Sequence, residues 1–394
     1  MNSSPNHNHQ PRNVGPARTG GRSAKQKKQK QMRVLFALGI CVVAVVAVLS
    51  VTAIALLSHE PKVDPHPQFS TNPPSPTEPI ETGEVITPDP YARKEGFYTF
   101  LVAGLDKISS STDVLMIASL DTVNGCVSVV QIPRDTFLNK EVAGYSNVSR
   151  VNGIFSAAYN HGINMGKSVK EAKRLGMESL CSKLYASLCV NLDGYLLVDT
   201  ESFRKVIDAV GGIDYDVPCD MDYEDPEQDL YIHLKKGYQH LDGDQCEQLI
   251  RNRSGYAGGD IERVKLRGNF MTEAFRQVLN KITVWDMVGL VPTLAGYLDT
   301  SFSVADLVAY TKMAYGVGGS NISVRTLCGS TLWDPNTESW SPYYFLNKNG
   351  ALADVNECLN VYEGEIGEDL FDPTGLFTDR RNAKNQFIDD YYSS

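Results

Sequence analysis

Two aspartates stand at the ends of apolar segments that are typical of buried strands. Asp106 follows FYTFLVAGL, and Asp113 immediately precedes VLMIASL. In α/β sheets, ligands usually bind in the loops at strand ends. Two carboxylates from neighbouring strands suit Mg²⁺, which takes one or two of them and leaves positions for water and phosphate. The pair indicates a metal site, although either aspartate alone would more often be a turn or cap residue.

Arginines occupy similar loop positions. Arg134 lies in IPRDT after the apolar segment CVSVVQI, and Arg251, Arg253 and Arg263 lie in RNR and GGDIERVKLRGN. Guanidinium groups bind phosphate oxygens bidentately, and several together can neutralise a pyrophosphate and its transition state. Each arginine alone would be a solvated charge, but several at loop positions of an acidic domain favour phosphate binding.

Several other kinds of site are poorly supported. No GxSxG, Walker or GxGxxG motif follows a predicted strand, which argues against serine hydrolases and nucleotide binding. The outer domain has only three widely separated histidines, so a histidine metal site is not expected: His161, His233 and His240. The acidic run at 220–229 has Asp225 where a calcium loop needs Gly. That run predicts a solvated loop.

Strand-like and helix-like segments alternate along the domain. Apolar runs predict strands at 97–103, 114–120 and 126–132, with Asn124-Gly125 as a hairpin turn between the last two. Further predicted elements are a helix at 168–185, a strand at 194–198, a helix ended by Gly211-Gly212, a strand at 213–217, a helix capped by Asp242 and a helix at 269–282. The alternation predicts an α/β fold with a mixed central β-sheet and helices on both faces, a three-layer αβα arrangement.

Charge and hydropathy predict one transmembrane helix before this domain. Residues 1–33 carry eight Lys or Arg and no acidic residue, and residues 34–57 contain no charge. The 24 uncharged residues suffice to span a bilayer, and the basic flank places the N-terminus inside. Residues 58–95 contain nine prolines and predict an extracytoplasmic linker. The basic tail is thus expected to face lipid rather than nucleic acid.

The rest of the chain is predicted to form a folded domain at 96–363 and an acidic, flexible tail at 364–394. Seven cysteines lie outside the predicted span and include no CxxC: Cys126, Cys181, Cys189, Cys219, Cys246, Cys328 and Cys358. An oxidising exterior permits disulfides, and we expect Cys219–Cys246 first, with Cys126–Cys328 and Cys181–Cys189 as further pairs. The connectivity is left open by the sequence.

An ordered series of motifs runs through this domain. The series is FLVAGLD, STDVLMIASLD, VSVVQIPRDTFL and RVNGIFSAAYNHG, followed by LDGYLLVDTESFRKVIDAVGGIDYDVP, IHLKKGYQHLDGDQ, LIRNRSG and GGDIERVKLRGNF. In this order the motifs resemble the LytR-CpsA-Psr family of cell-envelope phosphotransferases. The resemblance covers residues 97–279 and continues more faintly to about 359.

The resemblance implies a magnesium-dependent reaction at the outer face of the cytoplasmic membrane. A glycopolymer such as teichoic acid would move, with one phosphate, from a polyprenyl-pyrophosphate carrier to a hydroxyl acceptor, typically on peptidoglycan. By position, Asp106 and Asp113 would hold the metal. The pyrophosphate would be bound by Arg134, Arg251, Arg253 and Arg263, with Arg134 and Asp260 as catalytic residues and Asp260 as the candidate proton acceptor.

Several positions depart from the family's pattern, among them Ser109-Ser110-Ser111, where the family usually has a basic residue shortly before the second Asp. Leu105 stands where a small polar residue is usual, and Leu266 and Arg267 stand where the family usually has Arg and Gln. These departures leave open a second hypothesis, a non-catalytic protein that binds polyprenyl pyrophosphate as a scaffold or regulator. A role in transcription is disfavoured, because a 33-residue cytoplasmic tail has no room for a DNA-binding fold.

Overall fold

The computed structural model describes residues 58–63, 91–105, 111–137, 148–226, 230–252, 260–319, 321–334, 339–368 and 370–371. For residues 260–265, 333, 334, 339 and 340 it describes the backbone alone. The predicted basic tail, the predicted span at 34–57 and most of the linker lie outside these ranges. Within them, no helix combines the length and the apolar character needed to cross a membrane. The described residues from His59 onward form one compact unit.

A six-stranded sheet organises this unit, with the strand order β10-β3-β2-β1-β4-β9. β1 pairs antiparallel with β2 and parallel with β4, so the sheet is mixed. β2–β3 and β4–β9 are antiparallel pairs, and β3–β10 is parallel. The strands are β1 (Phe97–Leu105), β2 (Thr112–Asp121), β3 (Cys126–Gln131), β4 (Gly194–Asp199), β9 (Asp299–Thr300) and β10 (Ile322–Thr326).

Eight described helices and three small strand pairs surround this sheet. The helices are α1 (Asn152–Asn164), α2 (Val169–Leu188), α3 (Thr200–Ala209), α4 (Gly243–Arg251), α5 (Asp260–Lys281), α6 (Val284–Ala295), α7 (Val304–Val317) and α8 (Lys348–Cys358). The strand pairs are β5–β8 (Ile213–Val217 with Gly237–Leu241), β6–β7 (Met221–Asp225 with Leu230–Leu234) and β11–β12 (Gly329–Asp334 with Ser339–Leu346).

The two faces of β1 pack against different helices. Leu101 and Ala103 are fully buried in the main core, together with residues of α1, α2 and α8 such as Phe155. The alternate residue Phe100 packs edge-to-face on Tyr310 of α7, with ring centroids 4.7 Å apart. Because side chains alternate across a strand, these contacts lie on opposite faces of the sheet. The predicted mixed α/β class is therefore confirmed.

A second, smaller core forms beside the sheet. It joins α3, α4 and α5 to the strand pairs β5–β8 and β6–β7, and it includes buried Ile232, Leu249 and Phe270. We call this part of the molecule the small lobe. Leu266 is one of its buried side chains, which explains an apolar residue at that position of α5.

Several local predictions are confirmed. Gly125 has φ +65° in the β2–β3 hairpin, a conformation that a glycine adopts without the cost of a Cβ clash. Gly211 and Gly212, with φ of +87° and +77°, end α3. Asp242 caps α4 by accepting a 2.8 Å hydrogen bond from the Gln245 amide, in a capping box.

Other predictions were wrong. Part of the acidic run forms β6, because Met221 is buried while Asp222 and Glu224 point outward and pair with His233 of β7. The packed domain also extends beyond residue 363, since Ile366 and Phe371 are buried in the main core.

None of the three expected disulfides, Cys219–Cys246, Cys126–Cys328 and Cys181–Cys189, is present among the residues that the structure describes. Cys246 is buried in the small lobe, and its Sγ donates to the Leu241 carbonyl oxygen at 3.8 Å. Burial raises the pKa of the Cys246 thiol to about 12. Burial, more than any other cause, likewise raises the pKa of Cys181 to about 12. These two thiols behave as small apolar core groups rather than as half-cystines.

Candidate functional site

A cleft opens between the central sheet and the small lobe, and its walls are largely apolar. It encloses about 1150 Å³ of space free of atoms, including its open mouth. The sheet contributes Val102, Gly104, Val114, Met116 and Val198, and the lobe contributes Phe203, Leu230, Ile250 and Met271. Charged side chains also line the cleft, namely Asp113, Asp199, Glu247, Arg251 and Arg267.

The pairing of the strands determines where the carboxylates of this cleft lie. Leu105 at the end of β1 pairs with Thr112 on one side and with Asp199 of β4 on the other. Asp113 and Asp199 are therefore brought to the two flanks of the same strand end. Asp199 also caps α3, because its Oδ1 accepts a 2.8 Å hydrogen bond from the Ser202 amide. The sheet thus presents acidic groups where β1 ends.

Arg134 is held between two carboxylates beside the cleft. Its Nη1 donates to Asp113 Oδ2 at 3.1 Å, and its Nε donates to Asp135 Oδ2 at 3.2 Å. The other oxygen of Asp135 lies 3.2 Å from Nε of Arg150. The Arg150 guanidinium in turn lies over the ring of Tyr343, 5.2 Å from its centroid. These contacts fix the orientation of the Arg134 side chain, because a planar guanidinium that is hydrogen-bonded to two carboxylates has few other rotamers available.

Arg251 lies at the C-terminal end of α4, on the lobe side of the cleft. Its Nη1 donates to Glu247 Oε1 at 2.8 Å, one helical turn earlier. The second oxygen of Glu247 lies 3.4 Å from Nε of Arg204 on α3. Glu247 therefore orients Arg251 and connects α3 with α4.

Arg267 also lines the cleft, a position that the sequence patterns did not predict. Its Nε donates to the Ile250 carbonyl oxygen at 3.1 Å, at the end of α4. The next residue, Gly268, lets α5 approach the sheet closely, because a Cβ there would lie 2.5 Å from Gln131 Nε2. One signal was available, since Arg267 follows Arg263 by four residues and α5 is helical throughout.

Comparison of the sequence with a family model shows which proteins this chain is related to. The model of the LytR_cpsA_psr family matches residues 62–359. The chain belongs to the LytR_cpsA_psr family. The family that the sequence motifs implied is thereby confirmed.

Individual relatives agree with this assignment. The chain is 26% identical over 253 residues, 64% of its length and 59% of the relative's, to the polyisoprenyl-teichoic acid–peptidoglycan teichoic acid transferase TagV of Bacillus subtilis (strain 168). It is 30% identical over 152 residues, 39% of its length and 42% of the relative's, to the TagU transferase of Bacillus cereus (strain AH820). The matches thus span less than two thirds of these relatives.

A solved structure shows the same fold. The crystal structure of B. subtilis TagV superposes with a TM-score of 0.51 at 23% identity, covering 66% of this chain and 94% of that one. The curated relatives named above are transferases by their names, which supports an enzymatic role for the family.

The structure brings together three of the site residues that the motifs implied. Asp113 and Arg134 are in contact, and Arg251 lines the same cleft as Asp113. Asp106 and Arg253 lie outside the described residues. Asp260 begins α5 and Arg263 lies in its first turn, but their side chains are not described.

The described residues include one of the two carboxylates that the motifs implied for magnesium. Asp113 places a carboxylate in the cleft, and hard carboxylate oxygens are the donors that Mg²⁺ takes from proteins. Asp106 would add the second carboxylate, since it follows Leu105, the partner of Thr112, in the chain. Within the described ranges no three His, Cys, Asp or Glu side chains are grouped to hold a metal. The carboxylate of Asp113 is of the kind that would suit Mg²⁺, with Asp106, phosphate oxygens and water as its further ligands.

Proposed function

We propose that this protein is a membrane-anchored, magnesium-dependent phosphotransferase. It would act at the outer face of the cytoplasmic membrane. It would transfer a glycopolymer, with one phosphate, from a polyprenyl-pyrophosphate carrier to a hydroxyl acceptor, most simply on peptidoglycan. The observation that supports this most strongly is an apolar cleft that carries arginines and carboxylates, in a family whose relatives include teichoic acid–peptidoglycan transferases by name.

The two chemical halves of such a carrier match the two kinds of cleft wall. An isoprenoid tail is apolar and would lie along Val102, Met116, Phe203 and Met271. Its burial would contribute about 25 cal/mol for each Å² removed from water. The pyrophosphate is anionic and would lie near Arg134, Arg251 and Arg267.

In the proposed reaction the acceptor oxygen attacks the phosphorus that bears the sugar. The bond from that phosphorus to the bridging oxygen breaks, and polyprenyl phosphate leaves. The acceptor's proton passes to a base, for which Asp260 is our candidate. Arg134 and Arg251, with Arg253 and Arg263, would neutralise charge on the phosphate oxygens, and positioning with charge neutralisation is most of what phosphoryl transfer needs.

Asp106 and Asp113 would hold Mg²⁺, which when bound supplies a positive charge next to the phosphate oxygens. Arg134 contacts two carboxylates, those of Asp113 and Asp135. A bound phosphate would therefore compete with Asp113 for the same guanidinium. Asp135 would keep Arg134 oriented during that exchange.

A second candidate function is a non-catalytic protein that binds the same lipid. The replacement of the usual Arg and Gln by Leu266 and Arg267 favours it, because Leu266 is buried in the small lobe and cannot bind phosphate. This alternative keeps the cleft and its ligand but removes the chemical step.

One assay separates the two functions. The full chain is incubated with Mg²⁺, a synthetic polyprenyl-pyrophosphate saccharide and peptidoglycan fragments, and released polyprenyl phosphate is measured by mass spectrometry. For an enzyme we expect Mg²⁺-dependent release that Arg134→Ala lowers by about 10²-fold or more. Arg276→Ala, an exposed arginine of α5 paired with Glu273, serves as the matched control and should leave the rate unchanged.

If the wild-type protein and Arg134→Ala both bind the carrier but release no polyprenyl phosphate, the catalytic function is excluded. The lipid-binding function is then retained. If neither binds, both proposals are wrong.

A further inference from the structure

Two polar side chains at the start of α3 line the cleft and have no part in the proposed reaction. Asp199 is the last residue of β4 and Thr200 is the first residue of α3. Both line the cleft and are partly exposed. We call this pair the α3 corner. It carries one carboxylate and one hydroxyl, which together can accept and donate hydrogen bonds.

The carboxylate of Asp199 has hydrogen-bonding capacity that the fold does not use. Its Oδ1 accepts the 2.8 Å hydrogen bond from the Ser202 amide that caps α3. Among the described residues, none donates to Oδ2 of Asp199, and none forms a hydrogen bond with the Thr200 hydroxyl. Since a carboxylate accepts up to about four hydrogen bonds, most of this capacity is open to a ligand in the cleft.

The basic side chains that follow the α3 corner pair with other carboxylates. Nη1 of Arg204 lies 2.9 Å from Oδ1 of Asp244, and Nζ of Lys205 lies 2.6 Å from Oε1 of Glu201. Within the described part of the chain, no Lys or Arg forms an ion pair with Asp199. A negative charge without a cationic partner therefore lines a cleft that is proposed to bind an anion.

This charge determines which part of a carrier can lie at the α3 corner. Like charges repel, and they do so more strongly in an apolar cleft than in water, so phosphate oxygens are kept away from Asp199. An isoprenoid tail has no group that donates a hydrogen bond to a carboxylate. A saccharide has hydroxyl groups, which donate hydrogen bonds and bring no negative charge.

Strand pairing places the α3 corner across the floor of the cleft from Asp113. Gly104 of β1 pairs with Val114 of β2 and with Val198 of β4, and all three line the cleft. Because Gly104 has no side chain, the floor stays low between the β2 flank and the β4 flank. These flanks are two strand spacings apart, roughly 10 Å. One ligand can therefore place its phosphates near Arg134 and a neighbouring ring at the α3 corner.

We infer that the α3 corner binds hydroxyl groups of the saccharide that the carrier bears next to its pyrophosphate. This inference rests on the proposed carrier-binding function and deepens it, because it assigns the sugar to residues of its own. Asp199 accepts a hydrogen bond from one sugar hydroxyl, and the Thr200 hydroxyl binds the same sugar. A site that is built to hydrogen-bond a hydroxyl rejects analogues that lack it. The α3 corner thus selects carriers whose first sugar presents a free hydroxyl there.

Binding measurements on Asp199→Asn test the inference. Asn caps a helix about as well as Asp, so α3 is retained while the charge is lost. The full chain with Mg²⁺ is titrated in a calorimeter with a short-chain polyprenyl pyrophosphate and with the same lipid bearing a saccharide. We expect the affinity for the saccharide carrier to fall about fivefold or more. The affinity for the sugar-free carrier should stay unchanged or rise, because a repulsive charge has been removed.

Two further variants complete the test. Thr200→Val should also weaken the binding of the saccharide carrier alone. Asp242→Asn is the matched control, because Asp242 caps α4 in the same way, through the Gln245 amide at 2.8 Å, but is exposed and lies outside the cleft lining. Neither affinity should change in Asp242→Asn.

An equal loss of affinity for both carriers in Asp199→Asn would overturn the inference, since Asp199 would then act on the pyrophosphate or its Mg²⁺ and not on the sugar. Unchanged affinity for the saccharide carrier would exclude the contact. If the wild-type protein binds both carriers but releases no polyprenyl phosphate, only the proposed activity fails, and the two affinities still test the α3 corner. If the wild-type protein binds neither carrier, the proposed function and this inference are both wrong.

Discussion

Individual side chains of the cleft have roles that substitutions can separate. Asp199 both lines the cleft and caps α3 through the Ser202 amide. Asn caps a helix about as well as Asp, whereas Ala removes the cap at a cost of about 1 kcal/mol. We therefore expect Asp199→Ala to lower the free energy of unfolding by about 1 kcal/mol, and Asp199→Asn to change it by a few tenths. Urea unfolding measures both, and an equal loss in the two variants would contradict the capping role.

Arg267 offers a residue-scale test of substrate binding. If its guanidinium binds the pyrophosphate, Arg267→Gln loses a charge-assisted hydrogen bond worth about 1.5–3 kcal/mol, a reduction in affinity of roughly tenfold or more. Titration calorimetry with a short-chain polyprenyl pyrophosphate measures this. Arg276→Gln, on the exposed side of the same helix, is the control. Unchanged affinity in Arg267→Gln would exclude a contact between this arginine and the carrier.

At the scale of elements, one buried ion pair joins the start of the domain to the sheet. Nη2 of Arg93 donates to Asp193 Oδ2 at 2.6 Å, and the two side chains are only 6% and 4% exposed. Asp193 also accepts a 2.8 Å hydrogen bond from the Thr99 amide of β1. The pair thus holds the chain before β1 against the start of β4.

Removing one partner of this pair should be costly, because it leaves a buried charge without its counter-ion. We expect Asp193→Asn to lower the free energy of unfolding by about 3–5 kcal/mol. Glu357→Gln, which breaks a solvent-exposed pair with Arg325, should cost about 1 kcal/mol or less. Urea unfolding compares them, and similar losses in both variants would contradict a special role for the Arg93–Asp193 pair.

Sequence patterns identified those elements whose signals are local. The hairpin at Asn124-Gly125, the cap at Asp242 and the strands β1 to β3 each depend on neighbouring residues. β6 was missed because its outward acidic side chains mask a strand that is stabilised by β7 and by the small lobe behind it. The motifs identified Asp113, Arg134 and Arg251, but they assigned no role to the other carboxylates that contact the two arginines. Asp135 and Glu247 act through side-chain geometry, which a linear pattern does not contain.

On the scale of the whole molecule, the cleft exists because the sheet and the small lobe have separate hydrophobic cores. The main core lies under one face of the sheet, and the small lobe packs its own core around Phe270. The space between the opposite sheet face and the lobe stays open. Charged groups gather where β1, β2 and β4 begin or end, while apolar side chains line the rest. One cavity can therefore accommodate an anionic head and an apolar tail.

Because the cleft has a charged end and an apolar remainder, a larger side chain in the apolar remainder should weaken binding of long-tailed carriers more than binding of short-tailed ones. Val102→Phe enlarges a side chain that lines the cleft. We expect a several-fold higher KM for an undecaprenyl carrier and little change for a geranyl carrier, because only the long tail needs the full length of the cleft. Val123→Phe, at a position 68% exposed in the β2–β3 hairpin, is the control and should alter neither value. Equal effects of Val102→Phe on the KM of both carriers would show that the tail does not lie along β1. An unchanged thermal unfolding temperature of the variant would exclude a general loss of structure as the cause.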